Sequence, residues 1–124
     1  MASRCIDDPI AFTTDLGGLH DVEIDKAVID IEKRTLELST EDIYANFAEL
    51  PGHRIVRAQL VFCGIGALHL DMELTNGVII SEAKITARRP GSALEVALRA
   101  GYGSGSPNLT AIFESLHLVH DEGV

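Results

Sequence analysis

The sequence predicts an all-β domain, an antiparallel sandwich or flattened barrel of seven to eight strands with one short helix. Three observations predict it. Apolar and polar residues alternate with period two from residue 55 almost to residue 120, as strands with one buried face do. The runs are broken by Gly64-Ile65-Gly66, Asn76-Gly77, Pro90-Gly91 and a glycine-rich stretch over 101–107, intervals too short for crossover helices. The 124 residues, 46% of them hydrophobic, are enough for one core and too few for two, so 1–124 reads as a single domain.

Taken in order, residues 1–18 carry no sustained pattern and read as loosely ordered. Asp21-Val22-Glu23-Ile24-Asp25 alternates as a strand. Residues 28–32 and 35–39 form a hairpin around Lys33-Arg34, with Ile31 opposite Leu36, Ile29 opposite Leu38 and Asp30 opposite Glu37. Lys-Arg is poor chemistry for a turn needing positive φ, so a four-residue loop is the alternative, expected to keep the same pairing. Ser39 and Thr40 ahead of 41–47 predict a short capped helix that Leu50-Pro51-Gly52 ends.

Runs 55–63, 67–75, 78–88 and 93–102 predict a four-stranded meander joined by three hairpins. Its registers set Phe62 with Leu68, Leu74 with Ile79 and Ala83 with Leu98 on one apolar face. The other face carries Arg57 with Glu73, Asp71 with Glu82 and Glu82 with Arg99. The last run, 109–120, is apolar on both faces. That predicts a strand covered on both sides, or a homodimer contact through 109–119. The expected core is Val22, Ile24, Ile29, Ile31, Leu36, Leu38, Leu60, Leu70, Ile85, Val96 and Leu98.

Charge narrows the function classes. The net charge is −9, and residues 1–50 hold four basic and twelve acidic side chains against six and seven in residues 51–124. With no basic stripe and six aromatic residues, nucleic-acid binding is not expected. No apolar run is long enough to span a bilayer and the first fifteen residues lack a signal-peptide core, so no membrane association is expected. The two cysteines, Cys5 and Cys63, read as free thiols in a reducing, cytoplasmic setting.

Catalytic chemistry has few candidates. His69, Asp71 and Glu73 alternate along one run and are the weak metal candidates, the basis of a metal-assisted hydrolase reading. Alternate residues on a strand stand nearly 7 Å apart, which makes convergence on one ion awkward. Asp71, Glu82 and Arg99 read as a surface charge ladder before they read as an acid–base site. The stretch Gly101-Tyr102-Gly103-Ser104-Gly105 lacks both the spacing of a phosphate loop and that of a nucleophile elbow. No catalytic set and no cofactor are expected, and a small-ligand binder with a pocket between the sheets is a further alternative.

The acidic first half is where the charge is uncompensated. Asp21, Glu23, Asp30, Glu32 and Glu37 are the candidate binding residues, as an acidic face that docks a basic protein partner. His20-Asp21-Val22-Glu23-Ile24, followed by the Ile29–Glu32 and Leu36–Leu38 hairpin pattern, resembles the His-Asp-Ala-Glu-Val opening of small bacterial immunity-type β proteins. Leu19 stands where that opening has Phe, and its nearby Trp is absent. The resemblance implies a non-enzymatic role in neutralising toxins delivered between competing cells, and it assigns no catalytic residue.

Overall fold

Among the described residues strands make up 48% and helical segments 11%. The computed structural model describes residues 2–74, 77–101 and 106–121; Thr75 at the end of the expected run 67–75, Asn76 of the expected Asn76-Gly77 turn and residues 102–105 of the glycine-rich loop lie outside them. The elements are β1 (Ala2–Cys5), α1 (Pro9–Asp15), β2 (Glu23–Ile24), β3 (Lys26–Asp30), β4 (Thr35–Thr40), β5 (Ala58–Cys63), β6 (Ala67–Leu70), β7 (Val78–Ala87), β8 (Leu94–Ala100), β9 (Leu109–Phe113) and β10 (Ser115–His120), with 3-10 turns at Gly17–Leu19 and Ala45–Phe47. They form two antiparallel five-stranded sheets, β1-β10-β5-β4-β3 and β2-β7-β8-β9-β6.

Two bent strands connect the sheets. β2 pairs with β7, the chain turns at Asp25, and β3 pairs with β4. β9 pairs with β8, the chain turns at Glu114, and β10 pairs with β5. The second corner resolves the two-sided apolar run. Leu109, Ala111 and Phe113 are buried before Glu114 and Leu116 and Leu118 after it, so the inward phase changes from odd to even where the strand changes sheet. The buried residues of both halves of the run therefore pack within the chain, while Ile112 and Val119 stay half-buried. At this corner Gly64 adopts φ 69, and a Cβ on it would run into the Glu114 side chain.

The core lies between the sheets. Leu36, Leu38, Leu60, Phe62, Leu116 and Leu118 come from one, and Ile80, Ile85, Val96, Leu98, Leu109 and Phe113 from the other. Phe62 and Phe113 meet edge to face, with centroids 5.0 Å apart at 81°. Residues 2–15, which have little pattern in the sequence, add β1 to β10 and place α1 against β7. Asp8 caps α1 by accepting from the Ala11 N–H at 3.1 Å, and Pro9 opens its first turn.

Three sequence expectations are corrected. The β7–β8 hairpin keeps the expected pairs Ala87/Leu94, Ile85/Val96, Ala83/Leu98 and Glu82/Arg99, but the rest of the meander does not form. β5 lies between β4 and β10, and β6 pairs with β9, so Arg57 does not face Glu73 and Asp71 does not face Glu82. A bulge between Ile80 and Glu82 shifts the phase of β7, burying Val78 and Ile80 and turning Ile79 outward.

The N-terminal hairpin forms two residues out of the expected register. Its turn spans residues 31–34, and only Arg34 of the four adopts positive φ (55°), so two consecutive left-handed residues are avoided. Ile29 therefore faces Leu36, Ala27 faces Leu38, and Asp30 faces Thr35 instead of Glu37. The longer turn moves the pairing by two residues, which preserves the face and changes every partner.

The helix over 41–47 is the third correction. Ser39 and Thr40 are buried in β4, and Asp42 takes the Tyr44 N–H at 3.0 Å, leaving only the Ala45–Phe47 turn. Of the expected core, Ile29 (45%), Ile31 (86%) and Leu70 (41%) are exposed: Ile29 and Leu70 lie on the edge strands β3 and β6, and Ile31 lies in the turn past β3.

Candidate functional site

The corner at Asp25 gathers carboxylates from separate parts of the sequence. Asp21 adopts positive φ (69°) and donates its N–H to the Ile80 carbonyl at 2.9 Å, while the Val22 carbonyl accepts from Ile80 N–H at 2.8 Å. This anchoring buries Val22 and Ile24 and turns Asp21 and Glu23 outward. From the other sheet β4 ends at Thr40, and Glu41 and Asp42 follow it. Together Asp21, Glu23, Asp25, Glu41 and Asp42 line a groove of about 440 Å³, with Thr40 and Ala45 completing its lining.

Compensation in the groove is partial. Arg57, half-exposed, reaches Asp25 at 3.5 Å and Glu41 at 3.9 Å. His20 lies 3.5 Å from Asp21, and its Nδ1 bonds the Ser81 carbonyl at 2.9 Å. Asp42 is the most structural of the five. It meets His53 Nε2 at 2.8 Å and accepts from the N–H groups of Tyr44 and Val56, so it pins the loop over 42–56. Among the described residues no ion pair or hydrogen bond reaches the Glu23 carboxylate. The groove thus offers accessible negative charge, with one guanidinium bridging two of its carboxylates.

The same loop forms a second, apolar depression of about 530 Å³ around Tyr44, Phe47, Leu50 and Val56. Leu50 is 58% exposed. An acidic groove and an apolar dish are therefore presented side by side by one connection.

Of the five residues expected to bind, the structure brings Asp21 and Glu23 together and places the other three elsewhere. Asp30 accepts the Lys33 N–H at 2.9 Å and shapes the hairpin turn. Glu32 is exposed in that turn, and Glu37 lies on the outer face of β4 between Val28 and Val61. Glu41 and Asp42 are the carboxylates that the sequence reading missed. Their signal, two acids directly after a strand, was absorbed into the expected helix.

The remaining candidates separate. His69 is exposed on β6 opposite Thr110, whereas Asp71 lies past the strand end, its N–H bonded to the Asn108 carbonyl at 2.7 Å. No group of three or more His, Cys, Asp or Glu side chains among the described residues is placed to hold a metal ion. Between the sheets the packing leaves a cavity of about 10 Å³. That is at most the room of one water molecule. Comparison with protein-family models, curated proteins and solved structures returns no match.

Proposed function

We propose that this protein is a non-enzymatic interaction module whose acidic groove docks a basic protein partner. The observation that carries this reading is the convergence of Asp21, Glu23, Asp25, Glu41 and Asp42 on one groove with Arg57 as the cation bridging two of them. Like charges held together on a rigid corner repel, and a lysine- or arginine-rich surface relieves that repulsion on binding. The adjoining dish around Tyr44 and Leu50 favours a protein over a small cation, because interfaces combine a charged rim with aromatic and aliphatic anchors. The His20–Ile24 opening supplies two of the groove carboxylates, and an immunity-like role is the form of this reading that its resemblance suggests.

The test is titration of a lysine- and arginine-rich peptide, with a glutamate-substituted peptide of equal length as control. Binding of the basic peptide alone, weakening as salt is added, is expected. Equal binding of both peptides, or binding indifferent to salt, would overturn the proposal.

A further inference from the structure

β3 is an edge strand with β4 on one side and no strand among the described residues on the other. Edge strands leave a row of backbone N–H and C=O groups able to pair with another chain. This edge is also apolar, with Val28 38% and Ile29 45% exposed and Ile31, just beyond it, 86% exposed. Its charges, Lys26 and Asp30, are opposite in sign and equidistant from Val28.

From that symmetry we infer that two copies of this chain pair through β3, antiparallel, about a two-fold axis at Val28. In this arrangement Lys26 of each copy faces Asp30 of the other, Ala27 faces Ile29, and Val28 faces Val28. It is the one antiparallel register in which all five residues of β3 find a partner. Sliding by two residues in one direction sets Lys26 against Val28 and in the other sets Asp30 against Val28, so the charge pairs are lost. Ordinarily, charges on an edge discourage pairing. Here they are spaced so that a second copy satisfies both, and a two-fold contact uses each pair twice. The other edges lack this property: β1 carries Arg4 alone, the two-residue β2 carries Glu23 alone, and β6 reads Ala-Leu-His-Leu. Asp30 keeps capacity for a second contact, since its bond to the Lys33 N–H uses one oxygen.

The experiment is sedimentation of the full chain over a concentration series reaching the millimolar range, with charge variants. The wild-type chain dimerises. Lys26→Glu and Asp30→Lys each weaken the dimer by at least about tenfold, because each turns two attractive cross-strand pairs into repulsive ones. An equimolar mixture of the two variants restores dimerisation, since each then supplies the charge the other lacks. Asp30→Lys also removes the turn's acceptor, so a second arm works without it. In a Cys5→Ser background, Val28→Cys forms an intermolecular disulfide under mild oxidation, its counterpart lying ~5 Å away across the axis. Ala27→Cys and Ile29→Cys do not, because each faces the other position and not itself. A monomer throughout the series, a dimer untouched by Lys26→Glu, or equal cross-linking at positions 27 and 28 would overturn the inference.

Discussion

At the tip of the β3–β4 hairpin the carboxylates are dispersed, whereas at the Asp25 corner they converge. Asp30 shapes a turn, Glu32 projects into solvent beside Lys33 and Arg34 of the same turn, and Glu37 lies on a sheet face between two valines. In the groove, Asp21, Glu23 and Asp25 from one bent strand meet Glu41 and Asp42 from the end of another. As sequence, 21–25 and 30–37 each carry three carboxylates, with Lys33 and Arg34 set among those of the second. What separates them is topology: a hairpin fans its side chains over two faces, while a corner between sheets brings the ends of non-adjacent strands together. Acidity along a chain therefore predicts an acidic site only where the fold folds the chain back on itself.

The largest effect that sharpens this contrast is in the hairpin's own packing. Leu38, 1% exposed at its root, is expected to cost about 2–5 kcal/mol when changed to Ala. Ile31→Ala at the tip is expected to stay within about 0.5 kcal/mol, as an exposed substitution does. Denaturant melts of the two variants check that the hairpin is anchored at its root and free at its tip; equal losses would mean that the tip is covered.

Asp42→Ala comes next. Its side chain is 17% exposed, and its removal strands His53 and two backbone donors, at a cost of about 1–3 kcal/mol. Thermal melts measure it. Loss of stability here, with none from Glu23→Gln, would separate the carboxylate that holds the groove's loop from one that only supplies charge.

Asp30 gives the smallest effect. Asp30→Ala removes the acceptor for the Lys33 N–H and is expected to cost about 0.5–1.5 kcal/mol. Asp30→Asn keeps an oxygen acceptor and should leave stability nearly unchanged. A clear stabilisation by Asn would instead signal like-charge repulsion across the ladder, the state that a two-residue turn would have produced.

These corrections show which parts of the fold are legible in sequence. Period-two alternation identifies strands and their inward faces, and the β7–β8 hairpin follows it residue for residue over 82–87 and 94–99. It fails wherever one residue breaks the phase. The bulge at Ser81 and the corner at Glu114 each shift the inward set by one, so a strand passing between sheets looks apolar on both sides. Pairing partners are less legible still: β5 and β6 are adjacent in sequence and lie in different sheets, because Gly64 turns the chain across the core instead of back along it. The groove was half legible. Asp21 and Glu23 stand out as unpaired acids, but nothing local says that Glu41 and Asp42 sit across from them.

On the proposed function the groove, and not net charge, attracts a basic partner. Two double variants test it most directly, Asp21→Asn/Glu41→Gln in the groove and Glu32→Gln/Glu37→Gln on the hairpin. Both remove two negative charges from exposed or half-exposed positions, and both should fold as the wild type does. Titrated with the same lysine- and arginine-rich peptide, the groove variant is expected to lose about tenfold or more in affinity while the hairpin variant stays close to wild type. Equal losses from the two variants would contradict the account, showing that the peptide responds to overall charge alone.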